Sequence, residues 1–301
     1  MGSFRPDPNL LKKHPNAITV PQLQQKERFL GALLGLAAGE AQGAQALGVD
    51  AGPGGELLLV VLRSAIARRR IELPDIGQAF VRWFAGAPKR LPDLLRASLE
   101  NLRAGEGHEQ AGALAWEDAG RDAPDNASLL WAAVPVALLH SKDTEGLADD
   151  AAALCRLTHC DPRSVAGCAA VATAISLLVR GDKEAEEALP RAAFAAAAFS
   201  DDVRAAIERG AFKKPAEVHE VVRGSALATV ELGFSALGSG ASFEEGVTAV
   251  VSRGGDADLD GAIAGALLGA KYGKNSVPEK WLKSARGASE LQSLAEQLQK
   301  L

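Results

Sequence analysis

From Lys26 onward, apolar residues return every three or four positions almost without relief. That is the repeat of an α-helix with one buried face. The first run, ERFLGALLGLAAGEAQGAQAL (Glu27–Leu47), also sets Gly31, Gly35, Gly39 and Gly43 four residues apart on one side. Each glycine costs a helix about 1 kcal/mol relative to alanine. Four on one face make sense only where another backbone or a ligand comes very close. ELLLVVLRSAIARRR (Glu56–Arg70) reads as a buried helix closed by a basic turn that suits its dipole. The same periodicity predicts helices over Asp75–Ala85, Pro92–Arg103, Ser128–His140, Glu145–Arg156 and Pro162–Arg180. It continues through Glu184–Ala198, Ala216–Leu237, Phe243–Ser252, Leu259–Tyr272 and Ser289–Leu301.

Start signals support several of these. Pro162 suits a first helical turn. Ser242 with Glu245 three residues on is a capping box. No run alternates β-branched and polar residues, and no hairpin dipeptide joins two such runs. No repeat of fixed period and no linker divides the chain. The pattern therefore predicts an all-α fold: one compact, many-helix domain over residues 26–301. Residues 1–25, rich in proline and polar residues, form an N-terminal extension.

Composition narrows the class. With 301 residues, 47% of them apolar, the chain can bury a substantial core. A net charge of −5 and a pI near 5.7 argue against a nucleic-acid surface. No uninterrupted apolar run is expected to cross a bilayer, and the N-terminus lacks the apolar centre of a secretory signal. Cys155, Cys160 and Cys168, with His159 beside them, match no zinc spacing and read as ordinary thiols of a reducing compartment. The expectation is a cytoplasmic protein with no membrane partner.

One stretch carries chemistry: GGDADLDGAIAGALLGAKYG, from Gly254 to Gly273. Gly254 and Gly255 permit positive φ and leave room beside a ligand. Alternating Asp256, Asp258 and Asp260 can converge, and converging carboxylates repel unless a cation or protons sit among them. Mg²⁺ and Ca²⁺ are the ions that take such all-oxygen ligands. The competing reading makes Asp258 or Asp260 the N-cap of the following helix.

This stretch closely resembles the C-terminal signature of the ADP-ribosylglycohydrolases, GGDTDTNAAIAGALLGAxYG. FLGALLGLAAGEAQGA is similar to that family's first helix, DNASLLWAAVPVALL (Asp125–Leu139) to its middle asparagine motif, and THCDPRSVAGCAAVATAISLL to its T-H-x-D-P helix. The likeness runs from about Lys26 to Leu301, with the motifs in family order. It implies an all-α, many-helix fold and a cleft for ADP-ribose or an ADP-ribosylated protein. It also implies two Mg²⁺ ions that hold the ribose hydroxyls and a water while the anomeric bond to a modified side chain is hydrolysed.

Residue by residue, the resemblance assigns Asp256 and Asp258 as metal ligands and Asn126, Gly254 and Gly255 to ligand binding. The threonine expected after the second aspartate is Leu259. The Thr-Asp-Asp-Thr expected before the second helix falls on Pro53, Gly54, Gly55 and Glu56. Of six expected ligands only Asp256 and Asp258 remain, so one weakly held Mg²⁺ at most, or none, is expected. Glu56 is an improvised third ligand or catalytic group, and Glu40 keeps the acidic character of a family aspartate. The middle motif's arginine is Trp131, and Pro135 stands one place late. The resulting expectation is a family member with reduced or lost hydrolase activity that acts by binding. An active hydrolase rebuilt on Asp256 and Asp258, and a purely structural or interaction protein, are the alternatives.

Overall fold

Two helices that are remote in sequence form the spine of the molecule. In the computed structural model, which describes residues 22–50, 52–89, 91–181, 185–219 and 222–301, α1 (Gln25–Leu47) lies antiparallel along α13 (Ala257–Tyr272). A methyl group added at Gly31, Gly35, Gly39 or Gly43 would lie about 2 Å from the carbonyl oxygen of Gly269, Gly265, Gly261 or Ala257, respectively. Each step of four along α1 is thus matched by a step of four back along α13. The close approach predicted from the glycine spacing is made by another backbone. Because Gly43 abuts Ala257 and Asp258, the seam also fixes where the aspartate stretch begins.

Around this spine the other helices follow in order. They are α2 (Gly54–Arg68), α3 (Leu73–Phe84), α4 (Asp93–Ala104), α5 (Ala111–Asp118), α6 (Val134–Leu139), α7 (Leu147–Arg156) and α8 (Pro162–Arg180). After them come α9 (Ala188–Ala197), α10 (Asp201–Gly210), α11 (Ala226–Gly238), α12 (Phe243–Val251), α14 (Glu279–Ser284) and α15 (Ala288–Leu298). No strand occurs among the described residues. The fold is a single all-helical domain.

Helix α8 packs on α7, α9, α11 and α13. By length and composition it could cross a bilayer, contrary to the reading that no segment could, but it is 89% buried inside the protein. Its alanines and glycine let neighbouring helices close around it, and Asp161 caps it by accepting the Arg163 N–H at 3.0 Å. Ser242 and Glu245 form the predicted capping box on α12.

Several expectations change. Helices α5, α10 and α14 were not foreseen; α10 is charge-rich, buries only Val203, Ala206, Ile207 and Gly210, and pairs Arg204 with Glu208. The helix expected over Ala216–Leu237 starts only at Ala226. Before it run a short 3₁₀ turn at Pro215–Glu217 and a loop in which Gly224 has φ of 74°. Ser225 caps α11 by accepting the Ala228 N–H. The helix expected from Ser128 opens with a π-helical turn, Leu129–Ala133, in the segment where Pro135 is displaced. Of the expected N-terminal extension, residues 1–21 lie outside the described residues, as does Glu184; α1 already begins at Gln25.

Candidate functional site

A cleft of about 410 Å³ opens where the N-terminus of α13, the start of α2, the π-helical turn and the loop before α11 meet. Asp256 and Asp258 stand on one wall, and Gly52, Pro53 and Gly54 on another. Asp125, Asn126 and Trp131 contribute from the segment that enters the π turn, and Arg223 and Gly224 from the loop before α11.

Asp256 is the N-cap residue of α13, yet its side chain makes no capping bond. The N-cap is therefore neither Asp258 nor Asp260, which lie in the first turn. The Asp256 carboxylate is turned into the protein instead. Its Oδ1 accepts from Arg223 Nε at 3.0 Å; its Oδ2 accepts from the Gly224 N–H and from Asn126 Nδ2 at 3.2 Å. Asn126 Nδ2 also donates to Thr229 Oγ1 at 2.9 Å, and the Thr229 hydroxyl donates to Asp260 Oδ1. Asp260 is buried, and burial lifts its carboxyl to about 8; the Thr229 hydroxyl opposes this, and the charges of Asp256 and Asp258 add to it. That shift favours the protonated, neutral form of Asp260 in the network.

Asp125 differs. Burial pushes its carboxyl up, but His159 and the Ala127 N–H, which donates at 2.7 Å, outweigh this and hold it below the usual carboxylate range. His159 Nε2 lies 3.4 Å from Asp125 Oδ1, close enough for charge attraction but not aligned as a hydrogen bond. His159 is fully buried, with Nδ1 at 2.8 Å from Thr158 Oγ1 and its ring 5.7 Å from that of Trp131. The indole Nε1 of Trp131 is buried without a hydrogen-bond partner among the described residues.

The sequence-predicted residues divide. Asp256, Asp258 and Asn126 line the cleft. Gly254 and Gly255 do not; with φ of 74° and 68° they form the turn that carries the chain from α12 into α13. Glu56 is a correction as well. Its Oε2 accepts from Trp83 Nε1 at 2.7 Å and its Oε1 lies 3.6 Å from Arg286 Nη1. Two residues beyond Gly54 on a helix is a rotation of about 200°, which takes Glu56 off the cleft wall. Glu40 sits behind that wall, against the Gly55 backbone. Burial and the charge of Asp258 raise its carboxyl to about 7 against the pull of the Gly55 N–H and Arg286, and its Oε1 has no hydrogen-bond partner among the described residues.

Asp125, Arg223, Gly224 and Thr229 are the site residues that sequence reasoning missed. Gly224-Ser225 ahead of an apolar run is a helix-start signal, and it would have moved Arg223 out of the expected helix and into a loop.

Among the described residues no group of three or more His, Cys, Asp or Glu side chains is arranged to hold a metal ion. Both Asp256 oxygens already accept from protein donors, and Gly52, Pro53 and Gly54 on the other wall carry no side-chain oxygen. The residues present do not fit a two-ion centre, which needs negative charge from both sides.

Residues 21–301 match the family model of the ADP-ribosylglycohydrolases. The chain belongs to that family. Among ADP-ribosylglycohydrolases and their relatives, it is 24% identical to the ADP-ribosylarginine hydrolase Tri1 of Serratia proteamaculans, over 93% of this chain and 81% of that protein. It is 26% identical to the ADP-ribosyl-[dinitrogen reductase] glycohydrolase of Rhodospirillum rubrum, over 85% and 89%. The fold is similar to a solved structure described as an ADP-ribosylglycohydrolase-related protein complex. The TM-score is 0.74 at 27% identity, covering 92% of this chain and 98% of that one.

Proposed function

We propose that this chain binds an ADP-ribosyl group, free or on a modified protein, in the Asp256 cleft, and that metal-dependent hydrolysis is reduced or lost. The observation that carries this reading is the bonding of Asp256, whose two oxygens are engaged by Arg223, Gly224 and Asn126. With Leu259, Pro53, Gly54 and Gly55 at four expected ligand positions, Asp256 and Asp258 together would hold one ion at most. Loss of even supporting groups around a metal costs roughly 10–100-fold in affinity or activity. Binding is supported by the cleft itself. It offers Asp258 and Asp125 as acceptors for hydroxyl groups, and Arg223, whose two Nη groups have no partner among the described residues, as a donor fork for a phosphate.

Isothermal titration with ADP-ribose, in chelator and in Mg²⁺, tests the reading. Binding of similar strength in both is expected, together with no release of ADP-ribose from an arginine-modified protein. Mg²⁺-dependent release that disappears in Asp256→Ala would overturn it.

A second reading has one observation in its favour. Glu40, behind the cleft wall against Gly55, has its carboxyl raised by burial to about 7, within the range suited to proton transfer near neutrality. If hydrolysis occurs and Glu40→Gln abolishes it while ADP-ribose binding is kept, the rebuilt hydrolase is the correct account.

A further inference from the structure

Asp256 is 11% exposed at its side chain, and its neighbours Asp258 and Asp125 also face the cleft. Asp256 has its counter-charge within the cleft itself, in an ion pair at 3.0 Å. Arg223 is the cationic side chain among the described residues that line it. Gly224, next in the chain, donates its N–H to the same carboxylate, and two residues further Ala226 N–H donates to Pro124 O at 2.8 Å. Guanidinium and backbone therefore grip Asp256 as a fork, one on each oxygen.

We propose that Arg223 is a tethered cation that holds the place of a divalent ion at Asp256. The inference rests on the assignment of this cleft as the ligand site, and it concerns what balances the cleft's charge, not which ligand enters. A metal ion arriving at Asp256 must displace the Arg223 Nε–H and the Gly224 N–H and then sit beside a fixed positive charge. Like charges a few ångströms apart repel, here screened in part because the guanidinium is largely exposed. Without the guanidinium, Asp256 and Asp258 have the character of the one or two carboxylates with which proteins bind Mg²⁺ or Mn²⁺.

The test is Mn²⁺ titration of the purified chain followed by electron paramagnetic resonance, with no nucleotide present, so that its result is independent of ADP-ribose binding. The native chain is expected to bind Mn²⁺ weakly. Arg223→Ala should bind at least about tenfold more tightly. Adding Asp256→Asn should abolish the gain, and Arg223→Lys, which keeps the charge, should resemble the native chain. Because the Arg223 side chain is 74% exposed, these variants are expected to fold, and Arg223→Gln provides a second neutral replacement. Equal Mn²⁺ affinity in the native chain and both neutral variants, at any strength, would overturn the proposal. So would a gain that survives Asp256→Asn.

Discussion

At the scale of single residues, the buried titratable groups set how stability answers pH. Asp260 rises from 3.8 to about 8 and Glu40 from 4.5 to about 7 on folding, both through burial. Between those values the folded chain keeps protons that the unfolded chain has released. Stability is therefore greatest at the acidic end of this window and falls as pH climbs toward about 8. The fall is at most about 1.4 kcal/mol per pH unit per group. Lys271 acts in the next window. Burial lowers it from 10.5 to about 8, so above about 8 the unfolded chain holds the extra proton and stability recovers. Urea midpoints should pass through a minimum near pH 8 when measured from pH 5 to pH 9, below the range in which the raised thiols of Cys155 and Cys160 lower stability again. Asp260→Asn should flatten the acidic limb and leave the alkaline one. An unchanged acidic limb in that variant would show that Asp260 is ionised in the folded protein.

At the scale of elements, the α1–α13 seam carries the strongest expectation. Gly35→Ala or Gly265→Ala would put a methyl about 2 Å from a carbonyl oxygen on the facing helix. A flexible side chain could yield to that methyl, whereas backbone cannot. Overpacking in cores costs about 1–3 kcal/mol and occasionally more; here at least about 3 kcal/mol is expected, read as a lowered denaturation midpoint. Gly254→Ala, where nothing lies within 4 Å of the added methyl, should cost only the strain of its positive φ. The seam was legible because a four-residue glycine spacing has few physical reasons to exist. The same is true of Asp256 and Asp258, whose alternation is conspicuous in a helical sequence. Arg223 was not legible: a lone arginine declares no partner 33 residues away, and its segment looked periodic enough to extend a helix through it. Glu56 misled for a simpler reason. Proximity in sequence to the cleft wall says nothing about which way a helical residue turns.

At the scale of the whole molecule, the cysteines report on the integrity of the single domain. Cys155 and Cys168 are fully buried, and burial raises the Cys155 thiol well above its ordinary value. Cys160 is half-buried and pushed to about 11. A thiol reagent that needs the thiolate should react slowly with one group per native chain and rapidly with all three in denaturant. The two buried thiols should become reactive only at the rate of global opening. Fast reaction of either without unfolding would reveal a region that opens separately.

The glycine seam also dictates an order of events during synthesis. Its halves are separated by most of the chain, since Gly31 meets Gly269. Four glycines leave α1 about 4 kcal/mol poorer in intrinsic helix stability than an alanine equivalent, so it has little reason to persist alone. At roughly 5–20 residues per second, translation delivers its partner tens of seconds later. The nascent chain therefore waits with α1 uncommitted and its middle helices without their spine. Emergence of α13 is then the step that closes the seam, and the aspartates of the cleft come into position in that same act.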